Sequence, residues 1–114
     1  MINKRTVGSR YEEKAAAFLQ TLGFQILEKN YRDRYGEIDL IAKDQRYLVF
    51  VEVKYRSSLK NGYPEEAVDG RKQARIRHAA QYYLYKKHAN DDIPCRFDVV
   101  SIVGKDIRLI RDAF

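Results

Sequence analysis

One cysteine and two histidines are all that this 114-residue chain holds of the side chains that build zinc or redox sites. Cys95 has no partner for an intramolecular disulfide and no CxxC companion for zinc. His78 and His88 fall on one expected helix, too far apart to bind a single metal, and read as structural or surface residues. Long apolar runs are missing too. No stretch reaches the length of a transmembrane helix. The opening "MINKRTVGSRYEEK" lacks the apolar segment of a signal peptide, so a cytoplasmic location is expected. Repeats, low-complexity tracts and linkers are not found. Nor is there an excess of acid: 22 Lys plus Arg stand against 16 Asp plus Glu, a formal charge of +6. That balance favours a polyanionic partner, nucleic acid or an acidic membrane surface.

What is present is enough for one small domain, residues 1–114, with a real core. A content of 45% hydrophobic and 33% charged residues excludes whole-chain disorder. "RYEEKAAAFLQTL" (10–22) has apolar residues at helical spacing, with Ser9 as a cap and Gly23 as a stop. "FQILEKNY" (24–31) alternates as a strand, with Phe24, Ile26 and Glu28 on one side. "GEIDLIA" (36–42) and "YLVFVEVKY" (47–55) flank the polar "KDQR" and read as a hairpin. Residues 57–70 hold Gly62, Pro64 and Gly70 and read as a loop, with a short helical turn from Pro64. Asp69 is positioned to cap a second helix over 71–89, with an apolar stripe of Ile76, Ala80, Tyr83 and Leu84. Strands at 96–103 and 107–114 follow, around Gly104. The order is αβββαββ, an antiparallel meander joined by a helical crossover to a parallel strand.

Side chains alternate across a strand, so the hairpin can be sorted by face. A "DQ" or "KDQR" loop sets Asp39 opposite Phe50 and Glu37 opposite Glu52. Ile38, Leu40, Ala42, Val49, Val51 and Val53 then form one apolar face. The other carries Ile41, Leu48 and Phe50 near the turn, with Glu37, Asp39, Glu52 and Lys54 at the far end. Asp39 and Glu52 become diagonal neighbours with Cα atoms about 7–8 Å apart, within joint reach of one ion. Like charges crowded on a partly buried face repel and lose hydration, and a divalent cation relieves both. Oxygen ligands alone point to Mg²⁺ or Mn²⁺. Lys54 shares that face and can hold a water or stabilise charge on a phosphoryl oxygen. The residues alone leave a second reading open: an edge-of-sheet ion pair with Lys54 as counter-ion.

Arg71, Lys72, Arg75 and Arg77 crowd the start of the second helix, where positive charge opposes the dipole, which favours a phosphate-binding face, with a solvated helix face as the alternative. Arg56, Arg71, Lys72, Gln73 and Arg75 form the expected nucleic-acid set, Gln73 its weakest member. Glu12 and Glu13 open a helix, where the dipole alone accounts for Glu13 and leaves Glu12 open between dipole and function. Tyr82, Tyr83 and Tyr85 are of the type that stacks on bases in single-strand binders; the favoured reading sets Tyr83 in the core, with Tyr82 and Tyr85 at its margin. Asp98 is expected to pair with Arg96 or Arg75.

"GEIDLIA" followed by "VFVEVK" resembles the D…(D/E)xK signature of the restriction-endonuclease-like nucleases. With "GSRYEEKAA", "LGFQILEKNYR", "EEAVDGRKQ", "AAQYYL" and "RFDVVSI", the chain resembles, over nearly its whole length, the YraN-like family of uncharacterised bacterial proteins. That family is similar in pattern to the archaeal Holliday-junction resolvases. The resemblance implies a three-layer α/β/α sandwich with a mixed central β-sheet. It also implies metal residues Asp39, Glu52 and Val53, a catalytic Lys54, and a contribution from Glu12 and from Lys72, the lysine that opens the second helix. The residue before Glu12 is usually glycine in such proteins and is Tyr11 here. The function implied is a Mg²⁺-dependent endonuclease acting on DNA, including branched DNA, with no membrane partner. The alternative is an inactive nucleic-acid-binding module of the same fold. Symmetric junction cleavage would require a homodimer, though no stretch declares an interface.

Overall fold

A computed structural model describes residues 4–57, 68–87 and 92–114, with side chains from residue 10 onward. The expected turn at Pro64, and His88, lie outside the described residues. The fold is α/β: helix α1 (Lys4–Thr21), strands β1 (Gln25–Arg32), β2 (Glu37–Asp44) and β3 (Tyr47–Arg56), helix α2 (Gly70–Lys86), and strands β4 (Cys95–Val103) and β5 (Asp106–Ile110). The five strands form one mixed sheet in sequence order, antiparallel throughout except for the parallel β3–β4 pair that α2 bridges.

Each helix covers its own apolar cluster. Ala15, Ala16 and Leu19 of α1 pack with Leu40, Ala42, Val49, Val51, Val100 and Ile102. Ile76, Ala79, Ala80 and Tyr83 of α2 pack with Tyr31, Ile38, Ile41 and Phe50. Alternation along β2 and β3 sends these two sets to opposite faces of the sheet. Burial of this kind contributes about 25 cal/mol per Å² of apolar surface.

The ends of α1 depart from expectation at the start. The helix begins before Ser9, so Ser9 lies inside it rather than capping it, and Leu22, expected in the apolar stripe, is 44% exposed beyond its last turn. The stop is as expected. Gly23 takes φ 93°, its N–H donates to the Gln20 carbonyl, and the Phe24 N–H donates to the Leu19 carbonyl. Phe24 and Leu19 meet in the core, completing a Schellman end. An added Cβ at Gly23 meets no atom within 4 Å, so only backbone strain opposes it. Gly23→Ala is therefore expected to destabilise by about 1 kcal/mol, which thermal unfolding would register as a drop of roughly 4–8 °C.

Asp69 caps α2 as expected, accepting the Lys72 N–H at 2.9 Å. Asp98 is fully buried and ends in a closed network: it accepts from Arg96 Nε and Nη2 and from the Asp112 N–H, while Arg96 also donates to Asp44. The pairing with Arg96 is the one expected, and the role is structural. Truncation as Asp98→Ala strands a largely desolvated guanidinium beside one remaining carboxylate. The expected loss is about 2–4 kcal/mol in chemical denaturation.

Alternation breaks in β1 and β2, and the break shapes the site. The β1–β2 register shifts between Ile26 and Glu28, and Glu28 reaches the Tyr83 hydroxyl on α2 rather than sharing the Phe24 side. Asn30 adopts φ 54°, so Lys29 points to Glu13 of α1 while Tyr31, two residues on, packs edge-on against Tyr83 of α2. Ile38, paired with Tyr31, follows it into the α2 cluster instead of joining Leu40. A left-handed residue inside a strand turns the following side chains over, as a bulge does.

Candidate functional site

The site forms where β2 and β3 part. Their pairing runs from Asp44↔Tyr47 to Leu40↔Val51, so the turn is Gln45–Arg46, not the loop expected. The register therefore lies two residues from the expected one. Because the side-chain period is two, every β3 side chain keeps its face. The paired ladder ends at Leu40↔Val51, one step short of Asp39 and Glu52. There the ladder yields to a side chain: Asp39 Oδ2 accepts the Val53 N–H at 2.7 Å. Val53 thus enters the site through its backbone, holding the Asp39 carboxylate.

Glu52 is 5% exposed and carries two ammonium groups on one oxygen: Lys54 Nζ at 3.8 Å from Oε1, and Lys72 Nζ in a short ion pair with the same atom. Lys72 comes from the first turn of α2, brought to Glu52 by the crossover between β3 and β4. Glu12 arrives from α1. Its carboxyl meets the side chains of Asp39 and Asn30, and its Oε2 is buried without a hydrogen-bond partner. The four elements so assembled hold three carboxyls and two ammonium groups around one notch in the sheet.

Burial drives the protonation pattern. The Asp39 carboxyl is pushed up from 3.8 to about 8 by desolvation, then by the Glu52 charge, against the lowering effect of the Val53 N–H. Glu12 is raised by desolvation, which outweighs its contacts with Asp39 and Asn30. Lys54 is lowered by burial and by neighbouring Lys72. Lys72 is raised: its hydrogen bond and charge interaction with Glu52 outweigh burial. Asp39 and Glu12 therefore both hold their protons more tightly than exposed carboxyls do.

Among the described residues, no three of His, Cys, Asp and Glu converge as a ready-made metal cage. The donors that could share one ion are the Asp39 and Glu52 carboxylates, with Glu12 behind Asp39. Glu37 stands apart: it is exposed and pairs with Arg32. Arg56 at the end of β3 and Arg71 and Arg75 in the first half of α2 are exposed. Gln73 donates its side-chain N–H to the Val68 carbonyl, holding the entry to α2. Arg77 departs from the expected basic face and lies over the Phe97 and Phe114 rings. Gly36 allows α2 to sit against the β1–β2 turn, since a Cβ there would lie 3.3 Å from the Arg75 Cβ.

Two contributors escaped the sequence reading. Asn30, which touches Glu12, adopts a left-handed backbone that asparagine tolerates well, but its place inside an alternating strand pattern hid it. Tyr55 stacks on Tyr11 at 3.7 Å between ring centroids, so Tyr11 braces α1 against β3 beside Glu12.

Residues 11–102 match the family described as "Uncharacterised protein family UPF0102". The chain belongs to that family. A UPF0102 protein of Lachnoclostridium phytofermentans is 50% identical over 99% of this chain and 96% of its own length. Relatives from Caldicellulosiruptor saccharolyticus, 44% identical over 99% of this chain and 100% of their own length, and from Acetivibrio thermocellus, 48% identical over 98% and 93%, carry the same family name. The UPF0102 match opens at Tyr11, next to Glu12, and closes at Ile102 in β4, so it spans every residue of the notch.

Proposed function

We propose that the chain is a Mg²⁺- or Mn²⁺-dependent endonuclease that hydrolyses phosphodiester bonds in DNA, branched or junction DNA included, on a three-layer α/β/α scaffold of the restriction-endonuclease-like kind. The observation that carries this reading is the meeting of Asp39, Glu52 and Lys54 at the end of one strand pair, with two exposed arginines, Arg71 and Arg75, on the adjoining helix.

The residues fit a hard divalent cation. An Asp39 carboxyl raised to about 8, a buried Glu12 Oε2 with no partner, and a set of oxygen donors favour a further positive charge, since the close ion pairs of Lys54 and Lys72 go to Glu52. Asp39 and Glu52 would hold the ion, with Glu12 supporting Asp39. When bound, the ion supplies Lewis-acid activation of water and charge stabilisation at phosphorus. Lys54, whose proton affinity is lowered by burial, is suited to orient the attacking water and, in its neutral amine form, to take up the proton that water loses. Lys72, Arg71, Arg75 and Arg56 would position the phosphate backbone without reading sequence. Cleavage of both strands of a symmetric junction would use a homodimer.

One observation favours a second reading. Lys72 already neutralises Glu52, as it would in a nucleic-acid-binding module that keeps the fold but does not cut. The experiment is incubation of purified protein with junction, flap, single-stranded and linear DNA in Mg²⁺ or Mn²⁺, beside calorimetric titration with Mn²⁺. Cleavage that EDTA abolishes supports the nuclease. Salt-dependent DNA binding with neither Mn²⁺ heat nor cleavage supports the module.

A further inference from the structure

A second feature lies along α2, away from the notch. Arg71, Arg75, His78, Tyr82 and Lys86 recur at spacings of four, three, four and four residues, so they line one face of the helix. The stripe begins beside Lys72 and runs about 22 Å toward the helix C-terminus. Midway it meets Tyr35 from the turn between β1 and β2. Tyr35 makes edge contacts with His78 at 5.9 Å and with Tyr82 at 5.5 Å, and Tyr82 stacks on Tyr85 at 6.4 Å. Tyr35, His78, Gln81 and Tyr82 enclose an open pocket of about 310 Å³. That is the lower end of the range for small-ligand pockets, about 300–1,000 Å³.

Cations surround the rings. The Arg34 guanidinium lies 5.1 Å from the Tyr35 ring and 5.9 Å from Tyr82, and Lys86 Nζ lies 5.0 Å from Tyr82. Core packing does not account for this group, since Tyr35 is 38% and Tyr85 77% exposed. An aromatic floor, an amide able to donate and accept, and cations at the rim are the parts that hold an unpaired base between its phosphates.

We propose that the Tyr35–His78–Gln81–Tyr82 pocket binds an unpaired nucleobase of a nucleic-acid strand whose phosphates follow the α2 stripe from the notch. This deepens the proposed function and rests on it: it assigns the substrate a single-stranded segment next to the scissile phosphate. Gln81 meets the edge of the base, Tyr82 and Tyr35 take its face, and Arg34, Arg75 and Lys86 take the flanking phosphates.

The test is a binding titration by fluorescence anisotropy in EDTA, where cleavage cannot interfere, with a single-stranded DNA oligonucleotide and a blunt duplex. Tyr82→Leu keeps the apolar bulk and removes the stacking face, and Tyr35→Leu does the same from the turn. Each is expected to weaken single-strand binding about 5- to 100-fold, the effect of one lost stack, with duplex affinity within about twofold. A 2-aminopurine placed in the strand should be quenched on binding to unaltered protein, a readout that needs no variant to fold. Absence of quenching, or equal losses for strand and duplex, overturns the pocket. If DNA is cut but both variants bind and quench like unaltered protein, the pocket is wrong while the nuclease reading stands. If the base is quenched yet no substrate is ever cut, the pocket stands and the nuclease reading fails.

Discussion

Asp39→Asn is expected to abolish metal-dependent cleavage and at the same time to raise the stability of the metal-free protein. Asparagine retains an oxygen for the Val53 N–H, so the hydrogen bond that parts β2 from β3 persists. What disappears is a carboxylate whose ionisation burial and Glu52 oppose. Loss of one of two charged donors should cut turnover by at least about 10³-fold and remove the heat of Mn²⁺ binding.

The pH dependence gives the same prediction a sign. The folded Asp39 carboxyl is raised from 3.8 to about 8, so between those values the folded chain binds more protons at this group than the unfolded chain. Its contribution to stability is therefore fully present below about pH 4 and is lost as pH rises through 8. Urea denaturation of the metal-free protein should show this decline, and the Asn variant should lack it. At pH 8 the variant should be more stable by about 1–2 kcal/mol, a figure well below the full shift because Asp39 titrates together with Glu52, Glu12 and Lys72. Mn²⁺ should reverse the order by stabilising the unaltered chain alone. An Asn variant that still cuts DNA, or that is destabilised at pH 8, would overturn the account of the notch.

Lys54→Ala carries the second large effect and separates chemistry from binding. Lys54 touches Glu52 at 3.8 Å, whereas Lys72 makes the close ion pair with it, so metal affinity should change only a few-fold. Cleavage should fall by about 10²–10⁴, the usual contribution of a positioned proton acceptor. Lys54→Arg should not restore it, since a guanidinium does not give up its proton near neutral pH. Lys72→Ala removes one of the causes that lower Lys54, so the acidic limb of the rate profile should move to higher pH. Single-turnover rates between about pH 6 and 9 would show each effect. If Lys54→Arg cuts as well as unaltered protein, Lys54 acts by charge alone.

The hairpin shows how much of the site could be read beforehand. Val49, Val51 and Val53 against Phe50, Glu52 and Lys54 is a period-two pattern, and it assigns Glu52 and Lys54 to a shared face whichever residues make the turn. The register itself was not legible. The tight turn uses Gln45 at φ 55°, and nothing in "KDQR" marks glutamine for a left-handed backbone as Asn-Gly would. The placement of Glu12 was half legible. A carboxylate at a helix start has a sufficient explanation in the dipole, and only packing against Asp39 and Asn30 separates Glu12 from Glu13, which instead pairs with Lys29.

By itself the sequence determined the α/β class, the element order, the faces of β3 and the basic start of α2, because each follows from local periodicity and capping. It did not determine that Asp39 turns into the gap beside Val53, that Ile38 leaves its expected face, or that Lys72 closes on Glu52. Those depend on a left-handed Asn30 and on a crossover that brings residues far apart in the chain to one end of the sheet. Such contacts arise only when the whole core packs, and no window of neighbouring residues encodes them.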